Sequence, residues 1–433
     1  MPYTDTVIIG AGHAGLAMSR CLADRDVRHV VLDRGCVGER WRTARWDSFR
    51  LLTPNWLSRL PGWRYTGPEP DGFMSAGEFV GYLCGYARSF DAPVVPHALV
   101  TRVERAGSGF VVHTERAGSQ DASPPPGLFA DGAAWAARCV VIATGYHNRA
   151  KIPETATGLA PDIAQLTPAG YRSPSSLPDG GVLVVGGSAS GVQIAHELVG
   201  AGRRVVLAVG SHTRLPRRYR GRDILWWLDR IGSLDRTIDD VGDPASAMAE
   251  PSLQLAGTAE GRGLDLDALR RGGVRLVGRL RALDATRAEF ADDLRDTVGA
   301  AQRRLTRLLA EIDAYAAATP GTAVGPPDPP AAIAVPAGPS TMDLRRAGIS
   351  AVVWATGFRP WYPWLHVPVL DACGRIRHRR GVTDAPGLYA IGLRFQYRRN
   401  STFIDGARHD AAYLADEIAA NRAVGMGVCG GHL

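Results

Sequence analysis

Two short glycine-rich runs have the residue types and the spacing that bind dinucleotide phosphates. The first is Gly10-Ala11-Gly12-His13-Ala14-Gly15, and the second is Gly186-Gly187-Ser188-Ala189-Ser190-Gly191. In such a run the glycines permit a tight turn, close approach of the backbone to a pyrophosphate, and close packing of a helix on a strand. The N–H groups at the start of that helix then bind the phosphates. Two such sites on one chain predict a flavoprotein that accepts hydride from a nicotinamide.

The residues around the first run support an FAD site. An apolar strand over residues 6–9 precedes the run, and a helical pattern over residues 16–22 follows it. A second apolar strand, at 29–32, ends in Asp33. This places a carboxylate about 20 residues after the glycines, where it accepts hydrogen bonds from an adenosine ribose. A chance glycine-rich turn is the alternative, and the full order of strand, loop, helix, strand and acid argues against it.

The second run differs in two ways that favour NADPH. Ser188 replaces the central glycine, and its hydroxyl is able to donate to a phosphate oxygen. The strand over residues 205–209 is followed by no acid; Ser211 and Arg214 follow instead. A missing carboxylate removes the preference for a free 2′-hydroxyl, and arginines suit a 2′-phosphate. The alternative is that these arginines form a solvated surface.

Composition narrows the function classes. The formal net charge is +7, but Lys151 is the sole lysine and the arginines are spread along all 433 residues, so no nucleic-acid partner is expected. The six cysteines form no CxxC pair, which argues against a zinc site and against a dithiol–disulfide reductase. We expect no metal. No signal peptide and no membrane-spanning apolar stretch is evident, which predicts a cytoplasmic protein without a membrane partner.

The order of motifs predicts an α/β protein with two Rossmann-like dinucleotide-binding domains. Residues 1–160 and 345–433 form the expected FAD-binding domain. Residues 161–344 form the expected NADPH-binding domain, inserted in the first, with a helical insertion around 215–262 and 293–340. An apolar strand ending in Ala-Thr-Gly occurs twice, at 143–145 and 355–357. We interpret the two copies as an internal repeat at the crossings between the domains.

The motifs together resemble those of class B flavoprotein monooxygenases, and in particular the flavin-containing monooxygenase-like proteins of bacteria. Besides the two glycine runs and the two Ala-Thr-Gly copies, the resemblance rests on Gly-Glu-Arg-Trp at 38–41, Leu-Leu-Thr-Pro-Asn-Trp at 51–56 and Ser-Thr-Phe-Ile-Asp-Gly at 401–406. It covers nearly the whole chain.

The resemblance implies a mechanism. NADPH reduces FAD, O₂ adds at flavin C4a to form a (hydro)peroxyflavin, and bound NADP⁺ shields this adduct from water. The adduct then oxygenates a small organic substrate at N, S or C, including a substrate of secondary metabolism. An NADPH-dependent flavin oxidoreductase or oxidase without oxygen insertion is one alternative, and a redox-sensing flavoprotein is another. The sequence is compatible with an oligomer.

One departure from the family pattern concerns the segment between the nucleotide sites. The family has a histidine there, whereas this chain has Thr167, although the later Tyr171 remains. This departure argues against a Baeyer–Villiger reaction.

The expected site residues follow from the motifs and the resemblance. Asn55 is the expected catalytic residue, with its amide beside the flavin, and a turn-forming asparagine after Pro54 is the alternative. The expected cofactor-binding residues are Gly10, Gly12, Ala14, Gly15, Asp33, Arg34, Arg40, Trp41, Thr53, Thr144, Gly145, Gly186, Ser188, Ala189, Ser190, Gly191, Ser211, Arg214, Thr356, Gly357, Ser401 and Thr402.

Overall fold

The computed structural model describes residues 1–117, 133–146, 149–258, 261, 263–322, 325–335 and 338–427. Its first third contains β1 (Tyr3–Ile9), α1 (His13–Ala23), β2 (His29–Leu32), α2 (Glu39–Thr43), β3 (Arg59–Leu60), β4 (Trp63–Arg64), α3 (Ala76–Arg88), β5 (Val94–Val95), β6 (Ala98–Ala106), β7 (Gly109–Arg116), β8 (Ala134–Ile142), β9 (Arg149–Ala150) and β10 (Ala164–Leu166).

The middle of the chain contains the second set of elements. These are β11 (Gly181–Val185), α4 (Ala189–Gly200), β12 (Val205–Ala208), β13 (Thr213–Arg214), β14 (Arg218–Tyr219), β15 (Arg222–Asp223), α5 (Ile224–Arg230), α6 (Pro244–Met248), β16 (Leu253–Gln254), α7 (Leu266–Arg271), β17 (Arg275–Val277), β18 (Leu280–Asp284), β19 (Arg287–Phe290) and α8 (Leu294–Ala318).

The last part of the chain returns to the first sheet. It contains β20 (Thr341–Asp343), β21 (Ile349–Trp354), β22 (Phe358–Arg359), β23 (His378–Arg379), β24 (Val382–Thr383), β25 (Leu388–Ala390) and α9 (Ala407–Gly427).

Two separate sheets carry the two glycine runs. The first has the order β23-β24-β25-β8-β1-β2-β5, and β7 and β6 continue from β8. Within it, β25, β8, β1, β2 and β5 are parallel. The second sheet, β10-β21-β11-β12-β17, is parallel throughout. Each glycine run follows a central strand, so it lies at the carboxyl edge where parallel α/β sheets bind ligands.

The apolar runs become strands because both faces of the first sheet are covered. Six of the seven residues of β1 are buried. On one face Ile8, Val31 and Val141 pack in a core that includes α1 and α9. On the other face Val7 and Ile9 pack in a core with residues of β6 and β7 and of the 362–376 segment.

The two sheets repeat one local design. Ile9 is aligned with Leu32 on one side and with Ile142 on the other. Val185 is aligned in the same way with Ala208 and Trp354. Gly10 therefore corresponds to Gly186, and the residue after Leu32 corresponds to the residue after Ala208.

The expected domain limits need one correction. We placed residues 345–433 in the first domain, but β21 pairs with β10 and β11 and is a central strand of the second sheet. The chain must complete the second sheet before it returns, so the return follows β21. The expected helical insertions are also only partly helical. Two short helices, α5 and α6, lie in 215–262, and one long helix, α8, accounts for the helical part of 293–340.

Candidate active site

Two glycines of the first run are required by the fold itself. Gly10 has φ of +113°, and a Cβ built on it would lie 2.6 Å from the Ala143 carbonyl oxygen. A Cβ on Gly15 would overlap the Gly10 carbonyl oxygen. Helix α1 thus packs closely on the strand only because these two positions lack a side chain.

Gly12 has a different role. Its φ is −80°, which any residue adopts, and a Cβ built on it would meet no protein atom within 4 Å. Gly12 is also the N-cap of α1, which has no side-chain cap and no acid in its first turn. The fold does not need a glycine here, whereas a pyrophosphate lying on the helix N-terminus does. This open space fits FAD.

Asp33 is held where a ribose would lie. Its Oδ2 accepts a hydrogen bond from the backbone N–H of Ala11 at 2.6 Å, and its Oδ1 accepts one from Gly35 at 2.9 Å. Burial raises the pKa of Asp33, and the two backbone donors oppose this shift. A carboxylate oxygen has two acceptor sites, so each oxygen retains capacity for a ribose hydroxyl.

Arg34, Arg40 and Arg45 form a cluster of like charges that follows Asp33 in the chain. Burial lowers the pKa of Arg40 to about 10, and the neighbouring charge of Arg34 contributes. Burial also lowers the pKa of Arg45 to about 10, with Arg40 as the neighbouring charge. The Arg45 guanidinium lies 4.6 Å from the Trp41 ring centroid. Such a cluster would be stabilised by a bound anion. Sequence reasoning missed Arg45, since no motif marks it.

The second run repeats the first cradle. Gly186 has φ of +118°, and a Cβ on Gly191 would overlap the Gly186 carbonyl oxygen. Ser188 takes the place of Gly12 as the N-cap of α4, and its side chain makes no capping hydrogen bond. Helix α4 has no acid in its first turn, which includes Ala189 and Ser190. This helix N-terminus therefore fits a second pyrophosphate.

Gln254 is a candidate site residue that sequence reasoning missed. It is fully buried on β16, and its Nε2 donates to the Gly187 carbonyl oxygen at 2.6 Å. Its Oε1 is buried and has no partner among the described residues. Buried polar atoms are nearly always satisfied, so this oxygen fits a hydroxyl or amide donor on a bound dinucleotide. The pairing of β16 with β13 places it here, and the sequence does not show that pairing.

Arg214 is not placed to hold a 2′-phosphate. Its side chain is 2% exposed. The guanidinium donates to Gln302 Oε1 at 2.5 Å, to Asp265 Oδ2 at 2.6 Å and to the Ala331 carbonyl oxygen at 2.9 Å. We therefore correct the expectation: Arg214 is an interior ion-pair residue, because Asp265, Gln302 and the Ala331 carbonyl oxygen hold its guanidinium inside the protein.

The loop that carries Asn55 is tightly ordered. Asn55 is 3% exposed; its Nδ2 donates to the Glu69 carbonyl oxygen at 2.9 Å, and its Oδ1 accepts from the Met74 N–H at 2.8 Å. The amide thus bridges two parts of the 55–74 loop and keeps one N–H for another partner. Asn55 therefore has a structural role in its loop, as the alternative interpretation held, and its catalytic role stays a prediction.

The second nucleotide domain closes onto this loop. A Cβ on Gly257 would overlap the Leu51 carbonyl oxygen and lie 3.1 Å from Phe73. The buried Arg217 donates to the Leu52 carbonyl oxygen at 2.8 Å and to Asp223 at 2.6 Å. These contacts fix the 51–73 loop against the 254–257 segment.

Most of the remaining expected residues fall into two groups. Thr144 and Gly145 follow β8, and Thr356 and Gly357 follow β21, so both pairs lie at the carboxyl edges beside the cradles. Trp41, Thr53, Arg34, Ser211 and Thr402 have some exposure.

Ser401 belongs to neither group. It is fully buried, and its Oγ accepts from the N–H groups of Tyr397 and Arg398 and hydrogen bonds to Asp410. Because its hydrogen-bonding capacity is used inside the protein, we remove the Ser401 side chain from the candidate cofactor residues.

Asp410 predicts a pH-dependent stability. Burial raises its pKa from 3.8 to about 6, opposed by Ser401 and Arg398. Between these values the folded protein binds more protons than the unfolded chain, so the free energy of unfolding falls as pH rises from about 4 to about 6. Asp410→Asn should remove about 3 kcal/mol of this dependence. Urea unfolding of the FAD-loaded protein at several pH values measures it.

The control for this experiment lies on the same helix. Asp416 is 69% exposed and pairs with Arg25, so Asp416→Asn should leave the slope between pH 4 and 6 unchanged. An Asp410→Asn variant with the wild-type slope would contradict the prediction.

Comparison with known proteins identifies the family of this chain. The family model described as pyridine nucleotide-disulphide oxidoreductase matches residues 7–123, which include the first cradle and Asp33. An oxidoreductase named CzcO-like from Geobacillus kaustophilus is 30% identical over 419 residues, covering 96% of this chain and 98% of that protein. The chain belongs to the CzcO-like oxidoreductase family.

Two further likenesses concern monooxygenases. The indole-3-pyruvate monooxygenase YUCCA4 of Oryza sativa is 30% identical over 222 residues, covering 50% of this chain and 49% of that protein. The structure of a flavin-containing monooxygenase from Stenotrophomonas maltophilia aligns with a TM-score of 0.65 and 21% identity, covering 97% of this chain and 99% of that chain. This second likeness concerns the fold.

These findings confirm several predictions made from the sequence. The family resemblance, the α/β fold with two Rossmann-like units, and the oxidoreductase activity are confirmed. The prediction of FAD and NADPH as the cofactors is confirmed as well.

No helix in the described part of the chain is long and apolar enough to span a membrane. The searched residues also contain no group of three or more His, Cys, Asp or Glu side chains arranged for a metal ion.

Proposed function

We propose that this protein is an NADPH-dependent FAD monooxygenase that inserts oxygen from O₂ into a small organic substrate. The observation that carries the proposal is the pair of matching phosphate cradles on one chain. In one cradle the carboxylate of Asp33 is placed to bind a ribose, and in the other Val209 lies at the corresponding position. The two sites are thereby suited to two different dinucleotides.

The residues of this chain supply binding, orientation and exclusion of water. When bound, reduced FAD activates O₂, and NADPH supplies the electrons. The N-terminus of α1 and the open space at Gly12 would hold the FAD pyrophosphate, and Asp33 would hold its ribose. The N-terminus of α4 and Ser188 would hold the NADPH pyrophosphate.

The closed loop supports oxygenation rather than simple electron transfer. The 51–73 loop is bound to the second domain through Arg217 and through the backbone contact at Gly257. A site from which water is excluded protects a reactive oxygen species from hydrolysis and from release as peroxide. Two proteins named as monooxygenases support the same proposal. YUCCA4 is 30% identical to this chain over half of its length, and the S. maltophilia enzyme has a similar fold.

Two observations bear on the alternatives. The family model is described by a disulphide reaction, yet the described cysteines, Cys21, Cys36, Cys84, Cys139 and Cys373, are all free. An oxidase or reductase without oxygen insertion is favoured instead by Thr167 in place of the family histidine. Tyr171, which the family pattern retains, is fully buried, and its hydroxyl donates to Glu197 at 2.8 Å.

The test measures the fate of the oxygen atoms. The FAD-loaded protein is given NADPH and oxygen-18 gas with a panel of amines, sulfides, ketones and an aryl keto acid. We expect at least one compound to accelerate NADPH oxidation and to gain one oxygen-18 atom, with a matching fall in hydrogen peroxide. Peroxide equal to the NADPH consumed with every compound, and no labelled product, would support the oxidase instead.

A further inference from the structure

The carboxyl end of β12 has no carboxylate like the one that is placed to bind a ribose in the first domain. Strand register places Val209 at the position of Asp33, because Ala208 is aligned with Val185 in the same way as Leu32 is aligned with Ile9. Val209 is fully buried, and its side chain packs beside Gly187. No carboxylate at this position accepts ribose hydroxyls, so the discriminating contacts must come from the residues that follow.

The turn after Val209 is rigid and open. Gly210 has no side chain, and Ser211 is exposed. His212 is fully buried, with Nδ1 3.0 Å from the Gly210 carbonyl oxygen. Arg304 of α8 donates to the His212 carbonyl oxygen at 2.6 Å. The turn is therefore held from the interior, and its outer side at Gly210 and Ser211 is left free.

Arg279 lies over this open side. It follows β17, the parallel neighbour of β12, so its backbone comes to the same sheet edge. A Cβ built on Gly210 would lie 3.7 Å from the Cγ of Arg279 and 3.9 Å from its Cδ. The Arg279 side chain is 59% exposed, which makes its guanidinium accessible to a ligand, unlike that of Arg214.

Asp293 fixes the direction of Arg279. Its Oδ1 accepts the backbone N–H of Arg279 at 3.0 Å, and its Oδ2 accepts the side-chain Nε at 2.6 Å. Burial raises the pKa of Asp293, but the hydrogen bonds and charge of Arg279 outweigh it, so the carboxylate stays ionised. The carboxylate engages Nε, so the terminal nitrogens are able to form the paired contacts that phosphate prefers.

We propose that Arg279, with Ser211, binds the 2′-phosphate of NADPH and determines the preference for NADPH over NADH. This inference rests on the proposed function only through NADPH as electron donor. It assigns the role expected of Arg214 to a residue 65 positions later in the chain, just after β17, the strand next to β12. Gly210 places no side chain beside Arg279, and the exposed Arg279 guanidinium supplies the charge.

The test uses FAD-loaded protein, so that the first site is occupied. Calorimetry measures the affinity for adenosine 2′,5′-bisphosphate and for adenosine 5′-monophosphate in wild type, Arg279→Ala and Arg279→Lys. Arg279→Ala should weaken the bisphosphate about ten- to hundredfold and leave the monophosphate unchanged. Arg279→Lys should recover part of the loss, because lysine keeps the positive charge but lacks the planar guanidinium that forms paired hydrogen bonds. The matched control is Arg281→Ala, since Arg281 is also exposed and lies two residues along.

Coenzyme kinetics give a second readout. The kcat/KM for NADPH should fall by a similar factor in Arg279→Ala through KM, with NADH unaffected. Equal weakening of both nucleotides, or no change in either, would overturn the proposal for Arg279. A wild-type protein that does not distinguish the two nucleotides would overturn NADPH selectivity altogether. Failure to label any product with oxygen-18 would refute the monooxygenase activity and leave the binding result standing.

Discussion

A Gly12→Val variant is expected to fold and to purify without FAD. The fold tolerates a side chain at this position, because φ is −80° and a Cβ would meet no protein atom within 4 Å. The two Val methyl groups would instead occupy the space over the N-terminus of α1, where the pyrophosphate must approach the backbone. Flavin absorbance of the purified protein and calorimetric titration with FAD measure the loss, which should be essentially complete.

The matched control is Gly77→Val. Gly77 lies in the first turn of α3, and a Cβ there also meets nothing within 4 Å. It is remote from either cradle in sequence, so this variant should bind FAD as the wild type does. Both variants should keep the circular dichroism of the wild type. A yellow Gly12→Val protein with full FAD content would show that the pyrophosphate does not lie at Gly12.

Arg214→Ala is expected to reduce the free energy of unfolding by about 3 kcal/mol or more and to leave the NADPH-to-NADH preference unchanged. The substitution leaves Asp265 without its cation and Gln302 and the Ala331 carbonyl oxygen without their donors. Removing one partner of a buried ion pair costs far more than breaking an exposed pair. Denaturant unfolding and coenzyme kinetics on the same preparation measure the two effects.

Arg218→Ala serves as the control for this loss. Arg218 is exposed and lies four residues further along, so its removal should change stability by less than about 0.5 kcal/mol. A fall in NADPH affinity in Arg214→Ala at unchanged stability would reinstate Arg214 as a 2′-phosphate ligand and would exclude the role of Arg279. Assigning the 2′-phosphate to Arg214 and assigning it to Arg279 thus predict opposite results in the same pair of measurements.

The first cradle is the part of the protein that local sequence predicts best. Gly10, Gly12, Gly15 and Asp33 lie within 24 residues of one another. The strand, turn and helix that position them follow from nearest neighbours in the chain. The capping box of Ser75 and Glu78 at the start of α3 is local in the same way, and both of its hydrogen bonds are formed.

The ligands of the second site could not be predicted from local sequence alone. A run of arginines after β12 predicts phosphate ligands, but the sequence does not say which side chains turn inward. Arg214 turns inward because Asp265, Gln302 and Ala331, up to 117 residues away, form a polar pocket around it. Gln254 and Arg279 come to the cradle through β16 and β17, whose pairing partners are likewise distant in sequence.

The domain limit near residue 345 has the same explanation. The apolar run of β21 predicts a buried strand, but the sheet that it joins is decided by its pairing with β10 and β11. An apolar strand carries no local mark of its partner, since any parallel neighbour satisfies its hydrogen bonds.

The sequence by itself therefore determined the two phosphate cradles, the α/β fold, the two cofactors and the family. These depend on short-range backbone geometry, on missing side chains and on strand–turn–helix order. The tertiary structure decided which arginine is exposed at the NADPH site, that Ser401 and Arg214 are interior, and that the 51–73 loop is closed by the second domain. Burial and ion pairing join residues far apart in the chain, so the exposure of a charged side chain is set only when the fold is complete.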